Sequence, residues 1–297
     1  MVERGGADLA AVAAATWPLH GSAHLVGLTG SPGAGKSTLT NALCGEFRSR
    51  GARVGVLAVD PTSPYSGGAI LGDRVRMEDH ALDPGVFIRS MATRGHLGGL
   101  SVATPAAARV LDAVGFDPVV IETVGVGQVE VEIAGAADTT VVVVNPGWGD
   151  AVQAAKAGLM EVADVFVINK ADRPGAGETR RDLSASLEMA AGRDWKPPIV
   201  DTVATDGTGV AELVDAVEKH RSWLEATGEG TRRREASLAA ELAAVVGAEV
   251  ARRAAVLTAG QEFEAARRSV LDGSVDPWTA AASLVDRGLG RLLDRRD

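Results

Sequence analysis

The stretch from Gly30 to Ser37 has the residue types and the spacing of a phosphate-binding loop. It fits the pattern G-x-x-x-x-G-K-[S/T] at every fixed position. Glycines allow backbone N–H groups to turn towards phosphate oxygens, and a helix that begins at Lys36 adds the partial positive charge of its N-terminus. A chance glycine-rich turn is disfavoured because an apolar strand precedes the motif and a helix follows it. The predicted phosphate-binding residues are Gly30, Ser31, Gly33, Ala34, Gly35, Lys36, Ser37 and Thr38.

The run Asn169-Lys170-Ala171-Asp172 fits the guanine-selective pattern N-K-x-D and directly follows an apolar run. The Asp172 carboxylate can accept two parallel hydrogen bonds from guanine, whereas adenine lacks that pair of donors. Lys170 would lie over the plane of the base, and Asn169 would connect this loop to the phosphate-binding loop. Ala204, after the next apolar run, would offer its N–H to the guanine O6. Taken alone, a match of four residues is equally well explained by a turn that caps a helix. Its position directly after a predicted strand favours the interpretation as a guanine-binding loop.

The segment Glu122-Thr123-Val124-Gly125 ends another apolar run and occupies the place of a D-x-x-G element, with glutamate instead of aspartate. Its carboxylate would hold Mg²⁺, often through water, and the Gly125 N–H would sense the γ-phosphate. The alternative is an acidic residue that ends a strand in solvent. Mg²⁺ prefers oxygen ligands and keeps several waters, so the candidates need not all touch the ion. The predicted metal-binding residues are Ser37, Asp60, Asp73 and Glu122, and the predicted catalytic residues are Lys36, Glu122 and Gly125.

The machinery that orients the attacking water looks incomplete. Some GTPases place a glutamine directly after the D-x-x-G glycine, but here Val126 follows Gly125 and the nearest glutamine is Gln128. We therefore predict slow intrinsic hydrolysis that a partner accelerates by supplying an arginine or ordering a switch segment. Arg74, Arg76 and Arg94 are candidates for such an arginine within this chain, although a surface salt bridge is the favoured explanation for each of them.

The sequence around these motifs alternates between patterns typical of β-strands and patterns typical of α-helices. Near-continuous apolar runs separated by helical stretches predict an α/β fold with a mostly parallel central sheet covered by helices on both faces. Residues 2–16 read as a short alanine-rich helix. The predicted domains are a helical extension over 1–22, a P-loop nucleotide domain over 23–227 and a helical arm over 228–297. The predicted strands are His24 to Leu28, Val54 to Val59, Val119 to Ile121, Thr139 to Val144, Val165 to Ile168 and Ile199 to Val203.

The last part of the chain changes in composition to alanine, leucine, glutamate and arginine. Gly228-Glu229-Gly230 and the basic run Arg232 to Arg234 indicate a hinge, followed by two or three helices. One of these helices carries Leu238, Leu242, Val245 and Val250. A segment of this size can hardly build its own core, so we expect it to pack on the main domain or on a second subunit.

Bulk composition restricts the function classes. The chain has 297 residues, 46% of them hydrophobic, and a formal net charge of −9, which argues against binding nucleic acid or an acidic membrane. A single cysteine, Cys44, excludes a disulfide framework or a thiolate metal cluster within the chain. The sequence also lacks the pattern of a signal peptide and any apolar run long enough to span a bilayer. We therefore predict a cytoplasmic location.

Several longer runs resemble one family, the methylmalonyl-CoA-mutase-associated GTPases of the SIMIBI class, formerly labelled LAO/AO transport kinases. The resemblance extends from about residue 24 to 225, and it is looser at both ends of the chain. It implies a Mg²⁺-dependent GTPase that binds GTP and GDP, and a homodimer formed through a C-terminal helical arm. The runs that carry it are Asp60 to Pro64, Gly67 to Met77, Arg89 to Gly95, Glu122 to Gln128 and Gly149 to Gly158.

The resemblance further implies a chaperone of an adenosylcobalamin-dependent acyl-CoA mutase, in the first place methylmalonyl-CoA mutase. Such a protein gates the loading of the cofactor and helps to eject inactivated cofactor. Asp150, Gln153 and Lys156 fall in a segment that serves the family as an additional switch. Their spacing places them roughly along one helix face, as expected for a contact surface but equally for an ordinary solvated face.

Three other functions use the same nucleotide chemistry. A nickel metallochaperone would carry histidine or cysteine ligands, yet the five histidines are scattered along the sequence. A kinase that transfers phosphate to a hydroxyl would share Lys36, although the guanine-selective motif disfavours an ATP-dependent one. A nucleotide-binding scaffold that never turns over is the third alternative.

Overall fold

A computed structural model describes residues 6–19, 21, 23–60, 78–80, 82–92, 103–123, 129–147, 153–189, 192 and 194–293. Strands and helices alternate through most of this length. The strands are β1 Leu25–Gly30, β2 Val54–Asp60, β3 Val86–Ala92, β4 Val119–Thr123, β5 Thr139–Val144, β6 Val165–Asn169 and β7 Ile199–Thr202. The α-helices are α1 Gly6–Thr16, α2 Lys36–Ser49, α3 Ala103–Ala113, α4 Val129–Ala136, α5 Gln153–Val162, α6 Ala176–Met189, α7 Val210–Thr227, α8 Glu229–Ala254, α9 Gln261–Leu271 and α10 Pro277–Leu293.

The described strands form one seven-stranded sheet in the order β3-β2-β4-β1-β5-β6-β7, and every neighbouring pair is parallel. The predicted α/β fold with a parallel sheet is therefore confirmed. β1 lies between β4 and β5, at the point where the strand order reverses. In open parallel sheets, ligands bind beyond the carboxyl ends of the strands at such a point.

The central strands are runs of β-branched and other apolar residues because both of their faces are covered. In β4, β5 and β6 every residue is buried. On one face, Leu39 and Leu43 of α2 and Leu213 and Val217 of α7 join a core cluster with β1, β2 and β5. This core holds the start of α2 at the carboxyl edge of the sheet, directly after β1.

One strand was not predicted. β3 pairs with β2 along its whole length and forms an edge of the sheet. Phe87 and Arg89 of β3 are exposed, as expected for an edge strand. With polar residues at Arg89 and Ser90, the run lacks the continuous apolar pattern by which the other strands were predicted.

Several boundaries also differ from the prediction. β1 continues to Gly30, so the phosphate-binding loop begins within the sheet, and β4 continues through Glu122, which is paired across the sheet with Leu28 and Ala58. The predicted hinge is reduced to Gly228, whose left-handed backbone (φ 71°) ends α7. The basic run belongs to the first turns of α8 instead.

The chain packs into two units, Met1–Ser237 and Leu238–Asp297. The first contains the sheet and its helices. In the second, α9 and α10 pack together, and Gly288 of α10 lies against Leu257. The predicted domain boundaries at 22/23 and 227/228 stay predictions. None of the helices in the described part of the chain is both long and apolar enough to cross a membrane.

Candidate nucleotide-binding site

The loop between β1 and α2 needs glycine at two of its positions. Gly30 has φ +133°, and a Cβ there would lie 2.0 Å from the carbonyl oxygen of Val143. Gly35 has φ +88° and precedes the first residue of α2; its Cβ would lie 2.6 Å from Nδ2 of Asn169. Only a residue without a side chain lets the backbone turn here and approach both neighbours. The loop can therefore present main-chain N–H groups at the start of a helix, as an anion site requires.

The side chain of Lys36 lies along this loop. Its Nζ donates hydrogen bonds to the carbonyl oxygens of Gly30 at 2.8 Å and Ser31 at 3.0 Å, and the residue is 8% exposed. A buried ammonium group needs such partners because water cannot solvate it there. The positive charge is thus held beside the main-chain groups that would receive a phosphate.

Ser37 and Glu122 meet at the end of β4. The Ser37 hydroxyl donates a hydrogen bond to Oε1 of Glu122, whose side chain is almost wholly buried at 1% exposure. The alternative of a solvent-exposed acid is therefore wrong for Glu122. Burial, and then the nearby negative charge of Glu122, raise the pKa of the Cys44 thiol to about 12. The cysteine is consequently a neutral core residue and no metal ligand.

Asn169 and Lys170 bind the phosphate-binding loop directly. Nδ2 of Asn169 donates to the carbonyl oxygen of Ala34 at 2.8 Å, and Nζ of Lys170 donates to that of Gly33 at 2.7 Å. Lys170 also adopts a left-handed backbone, with φ 58°, immediately after β6. Together these contacts bring the N-K-x-D loop and the phosphate-binding loop into one site.

The end of β7 and the loop that follows it also contact the site, through the side-chain oxygen of Asn169. Its Oδ1 accepts hydrogen bonds from the Thr202 hydroxyl at 3.1 Å and from the Ala204 N–H at 3.2 Å. The Ala204 N–H, which was predicted to bind guanine O6, thus donates to Asn169 within the protein. Thr202 was not predicted, although a threonine at the end of the last strand, beside Ala204, was a signal for it.

The other predicted residues divide by location. Thr38 and Asp172 are exposed, Thr38 in the first turn of α2 and Asp172 in the loop after β6. Asp60 ends β2, and Gln153 and Lys156 lie on α5, but their side chains are outside the described part of the structure. The remaining predictions fall entirely outside the described residues; they are Asp73, Arg74, Arg76, Arg94, Gly125, Val126, Gln128 and Asp150.

A parallel sheet with a lysine-bearing glycine loop at its switch point, joined there to an N-K-x-D loop, defines a P-loop nucleotide-binding protein. The model of the methylmalonyl-CoA mutase-associated GTPase family, MeaB, matches residues 5–259. The chain belongs to this family and is a GTPase. Membership also means that the nucleotide it binds is a guanine nucleotide.

Individual relatives agree with this assignment. A putative GTPase of Pyrococcus horikoshii is 50% identical over 279 residues, which are 93% of this chain and 87% of that protein. The mouse methylmalonic aciduria type A homolog, a mitochondrial protein, is 37% identical over 215 residues, covering 71% of this chain and 52% of the mouse protein. The crystal structure of an LAO/AO transport system kinase superposes with a TM-score of 0.66 at 28% identity, covering 93% and 85% of the two chains.

Proposed function

We propose that this GTPase is Mg²⁺-dependent and serves as a chaperone of an adenosylcobalamin-dependent acyl-CoA mutase, with methylmalonyl-CoA mutase as the first candidate. In this proposal, GTP hydrolysis gates the loading of the cofactor and the removal of inactivated cofactor. The observation that supports the nucleotide site is the pair of contacts from Asn169 and Lys170 to the phosphate-binding loop. The mutase role is supported by membership of the family.

The residues of the phosphate-binding loop would act through position and charge. When a triphosphate enters, the Lys36 ammonium can exchange its two carbonyl partners for phosphate oxygens without leaving the loop. Because the site is buried, this charge acts more strongly on the transferring phosphoryl group than it would in water. Asp172, exposed beyond the loop, would read the purine by accepting its two N–H groups.

The chemistry of the donor set at the end of β4 fits a magnesium ion. Ser37 and Glu122 offer a hydroxyl and a carboxylate, both hard oxygen donors, and they already lie in contact. When bound, Mg²⁺ would neutralise charge on the phosphate oxygens. Glu122, fixed by its burial within the sheet, would hold its carboxylate towards Ser37 in the presence or absence of the ion.

We expect Glu122→Gln to raise the Mg²⁺ concentration needed for half-maximal GTP hydrolysis by roughly tenfold or more. The amide keeps the shape of the side chain but removes the charge that would favour the cation. A magnesium titration of initial rates measures the effect. Glu188→Gln, an exposed change on α6, serves as the control. Equal magnesium requirements in wild type and Glu122→Gln would remove Glu122 from the metal site.

The nucleotide state would be communicated to the mutase by the segment around the start of α5. Asp150, Gln153 and Lys156, at the start of α5 and just before it, are the proposed contact with the partner.

The proposed homodimer is supported by α8, on which large apolar side chains stay exposed in the single chain. Apolar patches of this kind commonly mark interfaces. The exposed residues are Leu238, Leu242, Val245, Val246 and Val250. We keep the prediction of a cytoplasmic location.

The mutase proposal predicts different effects of Lys156→Ala on two rates. Basal GTP hydrolysis should stay within about twofold of wild type, because no step of the chemistry is assigned to Lys156. Acceleration by purified methylmalonyl-CoA mutase should fall by roughly tenfold or more, because the charged contact that Lys156 would make with the mutase is lost. Phosphate release with and without the mutase measures both. No acceleration of the wild-type enzyme by any adenosylcobalamin-dependent acyl-CoA mutase of the same cell would contradict the chaperone role.

A nickel metallochaperone fits the described residues poorly. Nickel prefers imidazole and thiolate ligands. Cys44 is fully buried with a raised pKa, and His24 and His220 are both engaged in buried hydrogen bonds to Thr139. Among the described residues, no group of three or more histidine, cysteine or acidic side chains is placed to hold an ion.

A further inference from the structure

At the amino edge of the sheet, opposite the nucleotide site, two buried aspartates precede neighbouring strands. Asp138 stands before β5 and Asp164 before β6, and they are 4% and 1% exposed. Each carboxylate accepts a main-chain N–H, from Leu25 and from Thr140 respectively, at 2.9 Å in both cases. One hydrogen bond of this kind does not compensate for burying a negative charge, so both carboxylates need a cation.

Two adjacent arginines at the start of α8 supply that charge. Arg233 binds the two carboxylate oxygens of Asp164 at 2.9 and 3.0 Å, and Arg234 binds those of Asp138 at 2.8 and 2.9 Å. Such two-pronged guanidinium–carboxylate pairs are strong and directional. We call these four residues, which all belong to the first unit, the arginine latch.

Two buried histidines connect the two pairs. The Thr139 hydroxyl is 2.7 Å from Nε2 of His24 and 2.7 Å from Nδ1 of His220, so it donates to one ring and accepts from the other. Nδ1 of His24 lies 3.8 Å from Asp138, and Nε2 of His220 lies 3.4 Å from Asp164. The histidines are therefore the nearest alternative cations for the two carboxylates that the arginines now neutralise.

The surroundings keep the docked His24 neutral. The pKa of His24 is lowered to about 4, chiefly by burial; the charges of Arg221 and His220 also lower it, whereas those of Asp138 and Asp117 raise it. Arg221 itself binds Asp117 at 3.0 Å and also pairs with Glu225. His220 is fully buried and contacts the rings of Trp195 and Trp223, which also contact each other. Glu229 lies beside Arg233, and the charges of Asp112 and Asp117 act on Arg234.

We propose that the arginine latch is proton-coupled: release of the first turns of α8 from the sheet edge is accompanied by proton uptake on the two histidines. If Arg233 and Arg234 withdraw, Asp164 and Asp138 lose their counter-ions, and an imidazolium at His220 or His24 replaces them. Anything that draws the start of α8 away from the sheet would therefore be helped by acid.

The direction of the pH effect follows from the proton count. The released state would bind more protons than the docked state, because withdrawal of the first turns of α8 would expose His24 to water and free the Asp138 carboxylate beside it, and both changes would raise the His24 pKa. The binding of the first turns of α8 to the sheet edge has its full stability above the ordinary histidine pKa of roughly 6.5. Below that value the ratio of released to docked protein rises about tenfold per pH unit for each proton taken up, until the docked pKa of about 4 is reached.

Solvent can reach the latch through a cavity within the first unit. The cavity has a volume of about 170 Å³ and is lined by His24, Asp138, Arg221 and Arg234, with Glu225 and Thr231 beside them. The charged side chains in its walls can bind water, and its size suits several water molecules. Protons can thus reach His24 while the rest of the network stays buried.

NMR titration of the His24 ring tests whether a protonated His24 can take the place of Arg234 as the counter-ion of Asp138. In Arg234→Gln we expect the His24 pKa to rise by at least about one pH unit, since the Asp138 carboxylate loses the guanidinium that binds both of its oxygens and acts more strongly on His24. Arg232→Gln is the matched control, because Arg232 is the neighbouring arginine, 70% exposed, and pairs with Glu229 on its own helix. An unchanged His24 pKa in Arg234→Gln would overturn the proposal.

Hydrogen exchange of the wild-type protein gives a second test that needs no variant. After correction for the intrinsic exchange rate, the opening constant of amides 230–236 should rise from pH 6.5 to pH 5.5 by at least about fivefold, the increase that uptake of a single proton gives. Amides of β6 should change less than about twofold, which separates local release from global unfolding. Equal opening of 230–236 at both pH values would overturn the proposal. The affinity for GTP should not change, since the nucleotide site lies at the other edge of the sheet.

Discussion

Replacement of Lys36 by alanine is expected to lower kcat for GTP hydrolysis by on the order of 10²- to 10³-fold. The ammonium lies on the carbonyl groups of Gly30 and Ser31, where a transferring phosphoryl group would meet it. Without Lys36, the charge that develops on the phosphate oxygens is no longer compensated in a buried site. Single-turnover hydrolysis at saturating GTP measures the chemical step apart from binding and product release.

Lys219→Ala is the matched control for this experiment, because Lys219 is an exposed lysine on α7. It should keep the wild-type rate. A near-normal kcat for Lys36→Ala would contradict the catalytic role. A wild type that shows no turnover, alone or with the mutase, would favour the scaffold reading instead.

Replacement of Asp172 by asparagine is expected to weaken GTP binding by on the order of 100-fold and to admit xanthosine triphosphate. The carboxylate can accept two hydrogen bonds from guanine, whereas an amide presents one donor and one acceptor. Xanthine carries a carbonyl group where guanine has its amine, so the amide donor then finds an acceptor. Competition between the two triphosphates for the same site, measured with each variant, gives both affinities.

The control for the base-reading residue is Asp182→Asn, an exposed aspartate on α6. It should leave both affinities within about twofold of wild type. If Asp172→Asn keeps the wild-type preference for GTP, Asp172 does not read the base. Another polar group of the loops around Asn169 and Ala204 would then have to do so.

The strands that sequence predicts well are those buried on both faces. β4, β5 and β6 are continuous apolar runs, and hydrophobicity alone marks them. β3 was missed because an edge strand needs only part of its surface covered, and its sequence carries Arg89 and Ser90. Pairing with β2 stabilises it, and that long-range contact leaves little trace in the local pattern.

The site was predictable where chemistry requires residues in consecutive positions. The glycines and Lys36 must be adjacent to shape one loop, and Asn169, Lys170 and Asp172 share another. The burial of Glu122 and the part played by Thr202 depend on contacts between distant segments. Such contacts arise only once the sheet has formed.

The basic run shows how a local reading can fail. Consecutive arginines after glycines look like a solvated hinge, but Arg233 and Arg234 neutralise two aspartates that are 69 and 96 residues away in sequence. An aspartate directly before an apolar strand, as at Asp138 and Asp164, is the sequence signal that could have suggested their partners. Charge pairs of this kind become visible only when strand order is known.

Calorimetric titration of the nucleotide-free protein with GTP and with ATP, both in excess Mg²⁺, shows whether the site selects guanine. We expect one site per chain and a Kd for GTP at least about 100-fold below that for ATP, because only guanine offers the paired donors that Asp172 accepts. Equal affinities for the two nucleotides, or no binding of either, would contradict this expectation.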